Sequence, residues 1–267
     1  KTLNIDVSRI EQRITSQTKA ILAVDVFGHP AEWDELEQIA RKHDLLLIED
    51  SAEALGSEYK GCKAGTFGDA ALYAFYPNKQ MTTGEGGVVL TNGEQIAKLC
   101  RSLRNQGRGE GNEWLKHERL GYNYRLSDIH CALGLAQLER IDELLGRRAL
   151  VAQAYNDRLK DVEGVSIPYV APHIKIGWFV YVVRLADHYS RADRDRILQE
   201  LKKIGIGCGN YFSPIHLQPF YREQFGYQLG DFPVTEHSSD RTIALPFFAG
   251  LSEAEVNHVV SALRQLL

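Results

Sequence analysis

Asp50 and Lys79 each follow an apolar run, Asp50 after residues 45–48 and Lys79 after residues 70–75. A carboxylate at the carboxyl end of one strand and a lysine beyond another are what pyridoxal phosphate chemistry needs. The carboxylate keeps a proton on the pyridine nitrogen so that the ring accepts electrons, and the lysine amine forms a Schiff base with the aldehyde. The pair therefore points to carbanion chemistry on an amine.

Each residue also has a plainer reading. A lone lysine is usually a solvated surface residue, and an aspartate after a strand is frequently the N-cap of the next helix, here one starting near Ala52. The surroundings of Lys79 favour chemistry: aromatic Phe75 and Tyr76 precede it, and Thr82-Thr83-Gly84-Glu85-Gly86-Gly87 follows, small and hydroxyl-bearing residues that permit close backbone approach. A lysine held in such a pocket loses its proton readily and acts as nucleophile and then as base. The glycines read as a turn that makes room beside Lys79, because no helix start follows them as a phosphate loop requires.

Positioning these groups calls for buried strands joined by helices. Residues 20–26 form a continuous apolar run of the kind found in a strand covered on both faces, residues 32–43 carry one apolar helical face, and residues 45–48 form the next buried strand. That β-α-β unit gathers ligands at its strand carboxyl ends. Further strands are expected at 70–75 and 88–91, and helices at 94–103, at 127–145 with Ser127 as N-cap, and at 149–159. The pattern then changes: a strand at 178–185, a helix at 191–203, a strand at 204–211 and a closing helix at 253–267. The expected division is a large domain over residues 1–161, with its connecting helices, and a smaller α+β domain over 162–267. Residues 4–14 read as a short amphipathic helix with no strand before it, so the chain is expected to begin in mid-domain.

Composition narrows the possible partners. A formal net charge of -4 gives no general attraction to nucleic acid or to an anionic membrane. Four cysteines without a C-x-x-C pair argue against a zinc site and a disulfide framework and fit a reduced, cytoplasmic setting. No apolar run approaches the length of a membrane span.

Five ordered blocks, IEDSAEALGS, GTFGDAALYAFYPNKQMTTGEGGVVLTN, GYNYRLSDIHCALGLAQLERID, YFSPIHLQPFY and RTIALPFF, make the chain similar to the DegT and StrS family of nucleotide-sugar aminotransferases. The resemblance implies the aspartate aminotransferase type of fold, with a mostly parallel sheet in the large domain, and a homodimer with active sites shared between subunits. It implies pyridoxal 5'-phosphate as cofactor, L-glutamate as amino donor and a keto group of a nucleotide-linked sugar as acceptor. Lys79 matches the family's Schiff-base lysine and Asp50 the partner of the pyridine nitrogen. Glu53 matches a cofactor-contacting position where many members carry Gln, and Asn123 an asparagine that reaches the cofactor phosphate of the partner subunit. Tyr122, Arg125 and His216 match positions near the substrate, although Asn123 alone reads as a loop residue and His216 as a packing histidine. Arg241 has a structural or a substrate-phosphate role. Ala74 departs from a common phosphate-contacting Ser and reads as subfamily variation.

Relatives begin with an N-terminal part that supplies a phosphate-binding turn and one wall of the site, and that part is expected to be missing here. Lys79 argues against the sugar dehydratases of the same fold, which carry histidine at that position. A cyclitol or aminobenzoate aminotransferase and a catalytically incompetent fragment remain as alternatives.

Overall fold

In the computed structural model, which describes residues 1–109 and 116–267, the apolar runs become the strands that carry the two expected functional groups. Strands β1 (Ala20–Val24), β2 (Leu46–Asp50), β5 (Ala70–Ala74) and β6 (Gly87–Leu90) form one sheet in the order β1-β2-β5-β6. The first three are parallel, and β6 runs antiparallel to β5. Helix α1 (Trp33–Lys42) connects β1 to β2 and buries Trp33, Leu36 and Ala40. They pack with Ile21, Ala23 and Leu47 of the sheet and with Tyr59, while Phe67 stacks on Trp33 at 5.4 Å. Leu22 and Leu46 are more than half exposed, so among the described residues only one face of β1 and β2 is covered. The sequence reading of strands covered on both faces is corrected to that extent.

A second small sheet, β4 (Cys62–Lys63), β3 (Glu58–Tyr59) and β8 (Ile174–Lys175), is antiparallel. It draws residues 170–179 into the same compact unit as Asn4–Leu145. Helix α2 (Glu94–Arg104) follows β6, and α3 (Asp128–Leu138) begins at Ser127, whose hydroxyl accepts the His130 amide as expected of an N-cap. The single helix expected over 127–145 breaks after Leu138, and α4 (Ile141–Leu159) absorbs the helix expected at 149–159. Residues 4–14 form two short 3-10 turns, Val7–Arg9 and Glu11–Arg13, in place of an amphipathic helix.

The other unit comprises Lys1–Leu3, Gly146–Tyr169 and Val180–Leu267. The division thus falls inside α4 and returns Val170–Phe179 to the first unit, whereas the sequence reading placed one boundary at 161/162. This unit has an antiparallel sheet in the order β10 (Thr242–Leu245), β9 (Tyr181–Leu185), β7 (Val165–Ser166), with helices α5 (Arg191–Lys203), α6 (Pro219–Phe225), α7 (Pro233–Ser239) and α8 (Glu253–Leu266). Capping boxes start α5 at Ser190 and Asp193 and α8 at Ser252 and Glu255, satisfying amide groups that a helix start leaves orphaned. Tyr155 of α4 stacks on Tyr181 at 4.8 Å and donates its hydroxyl to the Pro246 carbonyl at 2.9 Å. The strand expected at 204–211 is reduced to a single bridge, Gly209 to Ala244. Gly205, Gly207 and Gly209 supply no side chains to pack, which weakens a strand. No helix among the described residues is long and apolar enough to cross a membrane.

Candidate active site

Asp50 is the last residue of β2, in register with Val24 of β1 and Leu72 of β5. No helix starts after it, so it is not a helix N-cap. One carboxylate oxygen accepts the Ala52 amide at 3.1 Å, and the turn over residues 51–57 carries the chain away from the sheet.

Lys79 lies in the turn after β5, and its side chain is only 13% exposed. Its Nζ stands 3.6 Å from Glu53 Oε1 and 4.1 Å from the centre of the Phe179 ring, a cation over an aromatic face. The other Glu53 oxygen accepts the Phe27 amide at 2.9 Å. Burial pushes the Glu53 carboxyl up, the Lys79 ammonium opposes that shift, and the Asp50 carboxylate adds to it. Glu53 therefore feels the charge of both expected catalytic groups. Where many relatives are expected to carry a neutral amide, this chain sets an acid against the lysine.

A junction of three distant segments fixes this arrangement. Gln80 is buried and donates from Nε2 to the Glu53 carbonyl at 2.6 Å and to the Gly177 carbonyl at 2.8 Å. Ser57 donates to the Gly28 carbonyl at 2.6 Å and accepts the Gly177 amide at 2.8 Å. The contacts leave no space for side chains: a Cβ on Gly28, where φ is +87°, would lie 2.8 Å from the Gly177 oxygen, and one on Gly177 would collide with the Leu55 carbonyl. Phe27, also left-handed with φ of 58°, is tied down by the Glu53 carboxylate. Gln80, Ser57, Gly177 and Phe179 escaped the sequence reading. The available signal was Gln80 beside the lysine, together with Gly177 just before Trp178 and Phe179, which were read as the start of a strand that begins only at Tyr181.

Of the other expected site residues, Tyr122, Asn123 and Arg125 lie together on the segment that returns along the end of α2. Asn123 forms a bridge with Asn105, the Tyr122 amide donates to the Leu103 carbonyl at 2.7 Å, and Arg125 donates to Asn105 Oδ1 at 3.0 Å. Tyr122 and Tyr124 stack at 4.9 Å, both rings exposed. Asn123 is thus held in an extended bridge with its side chain at the surface. His216 belongs to the other unit, where its Nε2 lies 2.8 Å from the Glu236 carboxylate and its ring packs on Phe232. Arg241 donates to the backbone carbonyls of His237 and Asp187 at 3.0 and 3.2 Å, a structural role.

The donor set fits pyridoxal phosphate. A strand-end acid suits the ring nitrogen and a shielded lysine suits the aldehyde. Beside the lysine, a Cβ on Gly86 (φ +156°) would run into the Thr83 hydroxyl, so the turn is built around missing side chains. A mostly parallel sheet with functional groups near its strand carboxyl ends, and a shielded lysine facing an acid, is an arrangement suited to an enzyme that holds its cofactor through a lysine.

Residues 1–264 match the DegT/DnrJ/EryC1/StrS aminotransferase family, and the chain belongs to it. The whole chain is 38% identical to GDP-perosamine synthase of Caulobacter vibrioides and covers 71% of that protein. Among solved structures, 98% of the chain matches Helicobacter pylori PseC, an aminotransferase of pseudoaminic acid biosynthesis, with a TM-score of 0.93 and 29% identity over 70% of that chain. The sugar aminotransferase Spr1654 of Streptococcus pneumoniae, in its PLP form, matches the whole chain with a TM-score of 0.93 and 27% identity over 72% of its length. The fold is that of the pyridoxal phosphate-dependent aminotransferases, and the chain is a member of that enzyme class.

Proposed function

We propose that this protein transfers an amino group from L-glutamate to a keto group of a nucleotide-linked sugar, with Lys79 and Asp50 as its catalytic residues. The observation that carries the reading is the shielded Lys79 ammonium, held 3.6 Å from Glu53 and over the Phe179 ring near the strand that ends in Asp50. Sugar-aminating relatives over the whole chain support the acceptor class.

Bound pyridoxal phosphate supplies an electron sink for the carbon that bears the amine. Asp50 holds the proton on the ring nitrogen throughout. Lys79 would hold the cofactor through its aldehyde, and its Nζ, once free, would carry the proton to and from the substrate carbon that bears the amine. Glu53 would balance the lysine's charge whenever Nζ carries the proton, and the Phe179 ring shields that side of the lysine from water. The sugar acceptor runs the same proton transfers in reverse. Asn123 serves the cofactor phosphate of a second subunit in a homodimer, with Tyr122 and Arg125 beside it for the substrate. The setting is cytoplasmic, in keeping with four free cysteines.

The test begins with the purified chain and pyridoxal phosphate, recording the visible absorbance of lysine-bound cofactor, with Lys79→Ala as control. A band in the native protein alone, bleached by glutamate and restored by a keto sugar nucleotide, is the expected result. Absence of any lysine-dependent band would sink the reading.

A further inference from the structure

Directly beside Asp50, and untouched by the chemistry above, lies a pair of buried carboxyl groups. Asp25, just past the end of β1, and Glu49 of β2 are both 0% exposed, and the equally buried Ser51 joins them. The Ser51 hydroxyl lies 2.8 Å from Asp25 Oδ2 and 2.5 Å from Glu49 Oε1. A hydroxyl has one proton to donate, so both contacts are satisfied only when one of the two acids carries a proton and donates it back to Ser51 Oγ. The neighbours assign that proton. Glu49 accepts the Gly65 amide at 2.5 Å on one oxygen and the Phe67 amide at 2.9 Å on the other, whereas Asp25 places all its other bonds, from the Ala31 amide at 2.8 Å and the Trp33 indole at 3.1 Å, on Oδ1. Asp25 Oδ2 takes no backbone or indole hydrogen, faces the Ser51 hydroxyl with the Glu49 carboxyl beyond it, and is the oxygen free to carry hydrogen.

We infer that Asp25, Ser51 and Glu49 share one proton as a brace that holds the Asp50 carboxylate in place, which makes Asp25 a positioning residue for the amino-transfer reaction. The brace grips Asp50 from both sides in the chain, because Glu49 and Ser51 are its sequence neighbours, and the Asp25 amide donates to the Asp50 carbonyl at 3.0 Å. The groups facing the pair are few. Helix α1 contributes the Trp33 indole, the 64–67 segment contributes amides, and β5 contributes Tyr73, whose phenol donates to the Ala64 carbonyl and is pushed up by burial and by the two acids. No lysine, arginine or histidine among the described residues pairs with either carboxyl. Burial and the Glu49 charge accordingly push Asp25 from its ordinary 3.8 up to about 8. Above that pH a second charge enters a site with no cation, Ser51 can satisfy only one partner, and the grip on Asp50 loosens.

The role rests on the proposed aminotransfer, and its test separates the two. The variants are Asp25→Asn, whose amide donates to Ser51 as the protonated acid does, and Asp25→Ala, which cannot. The unloaded protein is melted across pH 4 to 9. The folded state keeps a proton that the unfolded chain gives up near 3.8, so the native protein loses stability relative to Asp25→Asn as pH rises to about 8 and then runs parallel to it. In the cofactor-loaded protein, the rate of the glutamate half-reaction is expected to fall above about pH 8, with that limb missing or displaced upward in Asp25→Asn. At pH 7, Asp25→Ala should lose tenfold or more in kcat with little change in KM. Superimposable pH profiles for the native protein and Asp25→Asn, in melting or in rate, overturn the inference. Full kcat in Asp25→Ala does the same. Loss of the Lys79-dependent absorbance band overturns the aminotransfer reading instead, while the melting profiles still judge the shared proton.

Discussion

Replacing Gln80 by Leu tests whether the junction behind Lys79 holds the site together. The substitution keeps the side chain's approximate volume and removes the Nε2 donor, leaving the carbonyls of Glu53 and Gly177 buried without it. A buried carbonyl that loses its donor costs about 1–3 kcal/mol, so two cost about 2–6 kcal/mol. Part of this is returned, because the Gln80 Oε1 atom is itself buried without a partner and its removal relieves about 1–3 kcal/mol of desolvation. The net expectation is a loss of about 2 kcal/mol, or about 4–8 °C in melting temperature for a unit of this size. Among the described residues the tryptophans are Trp33 and Trp178, and both lie in the unit that contains Lys79. Tryptophan fluorescence during urea unfolding therefore follows that unit, even if the other unfolds separately. The same variant should bind pyridoxal phosphate more weakly, since Gly177 carries the Phe179 ring that lies against the lysine. An unchanged urea midpoint with an unchanged slope would refute the claim that these two bonds hold the junction.

Asp50→Asn should retain the lysine-dependent absorbance band but lose turnover on the order of a hundredfold, because the neutral amide no longer holds the ring proton. Equal turnover would leave Asp50 with nothing beyond its bond to Ala52. In the other unit, Arg194 is 1% exposed and donates to the Ser239 carbonyl and to Asp195, both at 2.7 Å. Arg194→Met should destabilise that unit by about 3 kcal/mol, since a buried charge-assisted network is broken. Circular dichroism melting checks this, and a native-like transition would show the guanidinium to be dispensable.

The strands that end near Asp50 and Lys79 were legible because apolar runs of strand length stop abruptly at polar residues, a local signal that needs no knowledge of the rest of the chain. Helix α5 was legible to the residue, since its Ser190 and Asp193 capping box is a local device as well. What could not be read was long-range. Gln80 looks like any polar turn residue until Gly177, 97 positions away, meets it. Asp25 lies near the end of one apolar run and Glu49 just past another, where a single sequence gives no reason to expect two acids sharing a serine. The strand expected at 204–211 shows the opposite error: the interleaved glycines left only one bridge.

The junction of Gly28, Ser57, Gln80 and Gly177 also dictates when the site comes into being. Its bonds to Gly177 span 97 and 120 residues, and the segment 146–169, which belongs to the other unit, is made before Val170–Phe179. Closing loops of that size is slow compared with forming the local turns and helices on either side. On the ribosome, the sheet that carries Asp50 can assemble well before the wall over Lys79 exists. The lysine therefore stays open to water until the last part of its own unit has been synthesised and docked.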